Sequence, residues 1–251
     1  MTEISLGRYW KGENPLSLLD SRTKLFSLIL YIVTLFYFSS LTTLAFSAVF
    51  LISVIAVSRI PLRYMTKGLL KPFILFLLFA LLIVLFEENG LRRAFFMVSR
   101  LVLTVLSSSL LTLTTRPKDI AGGIEKALGK GILKKSVHTL ATIIMIAFRF
   151  LPLLFDEAGR IADAQKSRGC SFEDKTIVGK CRATLPLLVP LFVSAFHRAD
   201  ELALAFDARG YSEEGGTRLY PMSYTAKDAW GYIMIILYAV LCLVLEKFLY
   251  V

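Results

Sequence analysis

Five apolar runs, at about 25–40, 41–58, 72–87, 94–115 and 229–250, each come close to the roughly 20 residues that a helix needs to cross a bilayer core. A chain built around such runs has few folds open to it. Hydrophobic residues make up 56% of it and charged residues only 19%, far more apolar material than the core of a soluble domain of this size requires. The expectation is an all-α, polytopic membrane protein with about five transmembrane helices, placed in the lipid bilayer of the cell membrane.

The charges lie in the gaps between the runs. Only Ser39, Ser40, Thr42 and Thr43 separate the first two runs, which suits a tight outer hairpin. The second run is followed by Arg59, Arg63, Lys67 and Lys71, and the third ends in Glu87, Glu88, Asn89 and Gly90. The fourth run ends in Arg116, Pro117 and Lys118. Basic gaps mark the cytoplasmic side, so the N-terminus, 59–71 and the chain after 115 are expected inside. The formal charge of +10 is thus accounted for by membrane topology, and nucleic acid is not an expected partner. Met1 to Asp20 is polar and lacks the apolar core of a cleaved signal, so insertion is expected to begin with the first spanning helix.

Two longer segments break the pattern. After a short amphipathic helix predicted from Asp119 onward, 138–169 and 182–210 each begin apolar, carry proline (Pro152; Pro186 and Pro190) and finish among charges. Each proline is expected to kink its helix. Slid by 41 positions, the two segments align: Phe155 on Phe196, Ala158 on Ala199, Ala162 on Ala203, Ala164 on Ala205, Ser171 on Ser212 and Glu173 on Glu214. Both end in the same way, as Ser167-Arg168-Gly169 and Ala208-Arg209-Gly210. Glycine suits the left-handed position just past a helix, and arginine suits the negative helix end. One such ending is an ordinary cap; two in aligned contexts indicate one docking device made twice, for two similar partners or two halves of one pseudo-symmetric partner. Ala158 and Ala162, with Ala195, Ala199 and Ala203, are small residues at i, i+4 spacing that allow the helices to cross closely. The resulting division is 1–115 as N-terminal transmembrane helices, 116–224 as a cytoplasm-facing domain carrying the crossed pair, and 225–251 as a C-terminal transmembrane helix.

Chemistry is hard to place on this chain. Cys170, Cys181 and Cys242 have no CxxC spacing, and His138 and His197 stand far apart, so no metal and no cofactor is expected. Gly123 to Lys130 superficially resembles a phosphate-binding loop, but five residues separate its glycines and Gly131 follows the lysine. ATP hydrolysis would have to come from a partner. Asp156, Glu157 and Asp163 could bind Mg²⁺ and a diphosphate in a lipid-modifying enzyme. Ion pairs along the helix, Arg160 with Asp156 or Glu157, Lys166 with Asp163 and Arg198 with Glu201, explain the same acids without a metal.

The doubled Xaa-Arg-Gly endings, together with three further strings, resemble the transmembrane T component of energy-coupling factor (ECF) transporters, the EcfT/CbiQ family. The strings are Leu19-Asp20-Ser21-Arg22-Thr23-Lys24-Leu25, where the family commonly has proline at the position of Ser21; Arg149-Phe150-Leu151-Pro152 with Glu157-Ala158; and Pro190-Leu191-Phe192 with Arg198-Ala199-Asp200-Glu201-Leu202-Ala203. The resemblance implies that Ser167, Arg168, Gly169, Ala208, Arg209 and Gly210 form coupling-helix tips. Each tip would dock on one of two ABC-type ATPase subunits, while a separate membrane-embedded S component binds a vitamin or metal ion. A membrane anchor or scaffold that binds soluble proteins without transport is the alternative.

Overall fold

The computed structural model describes residues 15–38, 40–61, 64–65, 70–129, 134–169, 177–211 and 224–249, and they contain helices and no strand. After a 3-10 turn at Pro15–Leu18 come α1 (Ser21–Tyr37), α2 (Leu41–Ser58), α3 (Leu70–Phe86), α4 (Gly90–Thr114), α5 (Pro117–Leu128), α6 (Lys134–Ser167), α7 (Ile177–Ala208) and α8 (Ala226–Leu249). They fall into two compact units: Met1–Ala127 with Pro221–Val251, and Leu128–Tyr220.

In the first unit, α1 packs against α8 and α4, α2 against α8 and α4, and α3 against α4. The α3–α4 turn is so tight that a Cβ on Gly90 would stand 2.5 Å from the Ile83 carbonyl oxygen. The core is formed by Tyr31 and Leu35 of α1, Leu51 and Ile55 of α2, Leu103, Leu110 and Leu113 of α4, and Ile235, Tyr238 and Cys242 of α8. At its centre the Tyr238 ring stacks on Phe50 at 4.4 Å, and the Tyr238 hydroxyl lies 2.7 Å from Ser47 Oγ. Thr34 Oγ1 donates to the same hydroxyl at 3.3 Å.

Polarity runs opposite to that of a soluble bundle. Thr34, Ser47 and Ser107 are buried, whereas Ile29, Val33, Leu77, Leu78, Leu85, Ile233 and Leu237 are exposed. Small polar residues between helices and large aliphatic ones outside suit a bundle whose solvent is lipid. Among the described residues four helices are long and apolar enough to cross a membrane: Leu41–Ser58, Gly90–Thr114, Lys135–Ser167 and Ala226–Phe248. Pro72–Phe86 is a shorter apolar helix, and α1 has 17 residues, the lower end of the spanning range. The chain is therefore an α-helical, multi-pass membrane protein. Lys135–Ser167 is an addition to the five expected runs, because between Lys135 and Asp156 the helix is apolar with Arg149 as its one charged residue.

The start of α1 is set by its cap rather than by the onset of hydrophobicity. Asp20 caps α1 by accepting from the Arg22 amide at 3.1 Å, so the polar Ser21–Lys24 turn joins the helix. The amphipathic helix expected from Asp119 is α5, which opens on Pro117, carries Asp119 in its first turn and ends with Lys126 in its last.

The second unit is the helix pair α6 and α7, packed on each other. Both helices run unbroken through their prolines.

Candidate functional site

The doubled helix ends have the geometry that their residues call for. In the first copy Gly169 has φ +88° and its amide donates to the Lys166 carbonyl at 2.9 Å. In the second, Gly210 has φ +62°, its amide donates to the Asp207 carbonyl at 3.0 Å, and the Tyr211 amide donates to the Phe206 carbonyl at 3.0 Å. That bond pattern is a Schellman closure, and its usual hydrophobic contact is present as well: the Phe206 and Tyr211 rings stack 4.8 Å apart. Glycine is required at both positions by backbone conformation alone, since an added Cβ would meet nothing within 4 Å at either. Ser167, Arg168, Ala208 and Arg209 are all exposed, so both guanidinium groups stand free of the helix pair at its two C-terminal ends.

The offset of 41 also holds in the packing. Leu154, Glu157, Ile161 and Gln165 are half-buried on α6, and so are Ala195, Arg198, Leu202 and Phe206, their counterparts on α7. The repeat therefore preserves one face, spaced by three and four residues, with which each helix meets the other. At its middle Arg198 Nη2 lies 3.9 Å from Glu157 Oε2, so two equivalent positions of the repeat pair with each other. Arg198 thus reaches across to Glu157 rather than along its own helix to Glu201, as the i, i+3 spacing had led one to expect. Lys166 and Asp163 do form their expected pair along the helix, at 3.7 Å. Among the small residues, Ala158, Ala162 and Ala195 are half-buried in the paired unit, whereas Ala199 and Ala203 are exposed beside the stripe.

A second polar constellation lies in the first unit, around the Leu19–Leu25 string. Asp228, only 1% exposed, opens α8 as one half of a capping box: Oδ2 accepts from the Thr225 amide and hydroxyl, both at 2.8 Å. Its Oδ1 accepts from the Asp20 amide at 2.6 Å and from Thr23 Oγ1 at 3.3 Å. Asp20 in turn holds Arg22 at 2.9 Å, and the Arg22 guanidinium lies over the Tyr224 ring at 4.0 Å. Ser21 Oγ donates to the Asp119 carbonyl at 2.7 Å, and Lys24 Nζ to the Thr114 carbonyl at 3.1 Å. One short string thereby ties together the ends of α1, α4, α5 and α8. Burial would raise the Asp20 carboxyl, but the hydrogen bonds and charge of Arg22 hold it below the ordinary carboxylate range. Among the described residues no group of three or more His, Cys, Asp or Glu is placed to hold a metal ion.

Two comparisons bear on these features. A family model described as "Cobalt transport protein" (CbiQ) matches residues 12–219. Curated relatives match nearly end to end and carry the printed name "Energy-coupling factor transporter transmembrane protein EcfT". One from Bacillus subtilis is 37% identical, over 96% of this chain and 97% of its own length. One from Clostridium kluyveri is 39% identical over 90% of both chains. A third, from Lactococcus lactis, is 32% identical over 98% of this chain and 99% of its own. A helical membrane bundle with two Arg-Gly-ended helices, matched along its length in this way, belongs to the EcfT/CbiQ family of energy-coupling factor transporter transmembrane proteins.

Proposed function

We propose that the chain is the energy-coupling T subunit of an ECF-type importer, joining two cytoplasmic ABC-type ATPase subunits to a membrane-embedded S component that captures a vitamin or a metal ion. The observation that carries this reading is the pair of exposed arginines, Arg168 and Arg209, each presented just before a left-handed glycine at the end of a helix packed on its repeat. An arginine fork pairs bidentately with carboxylates, and a pair of that kind, once desolvated, passes on displacement with little slack. Two equivalent tips suit two equivalent ATPase subunits. Ala158, Ala162 and Ala195 let α6 and α7 approach closely, so that closure of the ATPases would move the helix pair as a unit and reorient the S component. In this reading the N-terminus and both tips face the cytoplasm, 116–224 is the coupling domain, and the chain has no ATPase activity of its own.

The test is uptake by the reconstituted complex. The double variant Arg168→Ala/Arg209→Ala is expected to insert normally but to lose ATP-driven uptake together with ATPase docking. Wild-type uptake by that variant would exclude the coupling role, and ATPase binding that never couples nucleotide turnover to solute movement would favour the scaffold alternative. Purification of the intact complex, with identification of the copurifying S component and its ligand, would identify the substrate.

A further inference from the structure

A groove of 390 Å³ opens on the first unit between α1, α2, α4 and α8, and its lining divides sharply by chemistry. Along its length are aliphatic and aromatic side chains such as Leu28, Val54, Leu111 and Met234; at one end stand Lys24 and Lys227, with Trp230 beside them. Among the described residues no carboxylate lines it. Asp20, Asp119 and Asp228 line an adjoining polar cavity that shares Lys24, whose ammonium gives one of its three donors to the Thr114 carbonyl at 3.1 Å; Asp20 is held there by Arg22, and Asp228 by Thr225, Thr23 and the Asp20 amide.

The groove is also short. From Lys24 it reaches Tyr31 on α1, and from Lys227 it reaches Ile235 on α8, where the buried aromatic core closes it. Seven or eight residues of helix amount to about 12 Å, close to the roughly 15 Å of a single leaflet. A spanning helix from another protein would need a groove running through the full bilayer thickness, and this one ends halfway. An apolar slot one leaflet deep, with two ammonium groups and an exposed tryptophan at its mouth, has the chemistry of a lipid site with an anionic headgroup. Tryptophan at headgroup depth and lysine ammonium reaching toward phosphate are both favourable at that interface.

We propose that this groove binds one anionic phospholipid, with an acyl chain lying between α1, α2, α4 and α8 and its phosphate at Lys24 and Lys227. The site is independent of the Arg-Gly tips and of their partners.

The test uses the full-length chain purified in mild detergent and offered phosphatidylglycerol or phosphatidylcholine with the same acyl chains, with retained lipid read by native mass spectrometry. Phosphatidylglycerol is expected to be retained at least about tenfold better. Lys227→Gln, an exposed position on the first turn of α8, is expected to reduce that preference several-fold, and Lys24→Gln/Lys227→Gln to abolish it. Ser53→Phe, which fills the groove from α2 without touching its charges, is expected to lower retention of both lipids. Equal retention of the two lipids by the wild-type chain would overturn the proposal. So would a preference that survives both the double lysine variant and Ser53→Phe in folded protein, because the anionic lipid would then be bound elsewhere.

Discussion

Glu157 and Arg198 stand at equivalent positions of a 41-residue repeat and meet each other at 3.9 Å across the α6–α7 interface. A contact between equivalent positions is what an approximate two-fold relation between two helices produces on its axis. The charges differ at that point, so the repeat is self-complementary where identical side chains would have repelled or left a polar group without a partner.

The pair is about one-third exposed on either side, which limits its energy. A double-mutant cycle with Glu157→Gln and Arg198→Gln, read by thermal unfolding, is expected to give a coupling of about 0.5–1 kcal/mol, weakening with salt. Inverting the pair, Glu157→Arg with Arg198→Glu, is expected to recover most of that coupling. A coupling indistinguishable from zero would mean that the crossing is held by Ile161, Leu202 and the alanines alone.

Glycine at the two tips is not equally replaceable. Gly210, at φ +62°, lies within the left-handed basin that asparagine tolerates, whereas Gly169, at φ +88°, lies beyond it. Gly210→Asn should therefore be nearly silent, Gly210→Ala should cost about 1 kcal/mol of local helix-end stability, and Gly169→Ala should cost more. Amide exchange in the last turn of each helix measures this; equal effects at both glycines would contradict it.

Asp228 accepts four hydrogen bonds at the start of α8. Asp228→Ala leaves the Asp20 and Thr225 amides without that acceptor in a buried place and is expected to cost about 2–4 kcal/mol, a several-degree drop in melting temperature. Asp228→Asn, which keeps one acceptor oxygen, should lose clearly less.

Asp20 makes stability depend on acid. Its folded pKa lies below the unfolded value of about 3.9, so its contribution is complete above that value and disappears as pH falls through the lower, folded one. Asp20→Asn is expected to lower stability at neutral pH and to flatten the loss below about pH 4. Parallel melting curves for the variant and the wild type across that range would show that Arg22 contributes nothing through Asp20.

Tyr238 separates packing from hydrogen bonding in the core. Tyr238→Phe removes its bonds to Ser47 and Thr34 but keeps the stack on Phe50, so a loss near 0.6 kcal/mol is expected, as for interhelical hydrogen bonds in membranes generally. Tyr238→Ala also removes the ring and should cost about 3–5 kcal/mol. Similar losses for both would assign the site to the hydroxyl. Thermal unfolding in detergent distinguishes them.

Much of this was legible in the amino-acid sequence, within limits that have physical causes. The run at 41–58 is α2 residue for residue, because the run already takes in the polar first turn at Thr42 and Thr43 and the backbone turns left-handed at Arg59, directly after Ser58. Elsewhere the helices begin about four residues early: α1 at Ser21 instead of 25, α4 at Gly90 instead of 94, α6 at Lys134 instead of 138. Hydropathy locates the apolar stretch, whereas the backbone begins a turn sooner and takes in polar residues such as Arg22, Arg92 and Lys135. The left-handed glycines could be read from local chemistry. The Glu157–Arg198 pair could not, since side-chain spacing along one helix gives no information about a facing helix. The Leu19–Leu25 string was visible as a pattern only; its contacts to Asp119 and Asp228 join residues 98 and 208 positions apart. Ser171 and Glu173, with their repeat partners Ser212 and Glu214, lie outside the described residues.

Arg168 follows Glu157 by as many residues as Arg209 follows Arg198. With the ion pair as hinge, α6 and α7 have equal lever arms of about 16 Å. Turning one arm by about 10° would swing its arginine through about 3 Å, and the other arm converts a turn into travel at the same ratio. Neither tip has a mechanical advantage, so any inequality between two forces applied there would have to come from whatever applies them.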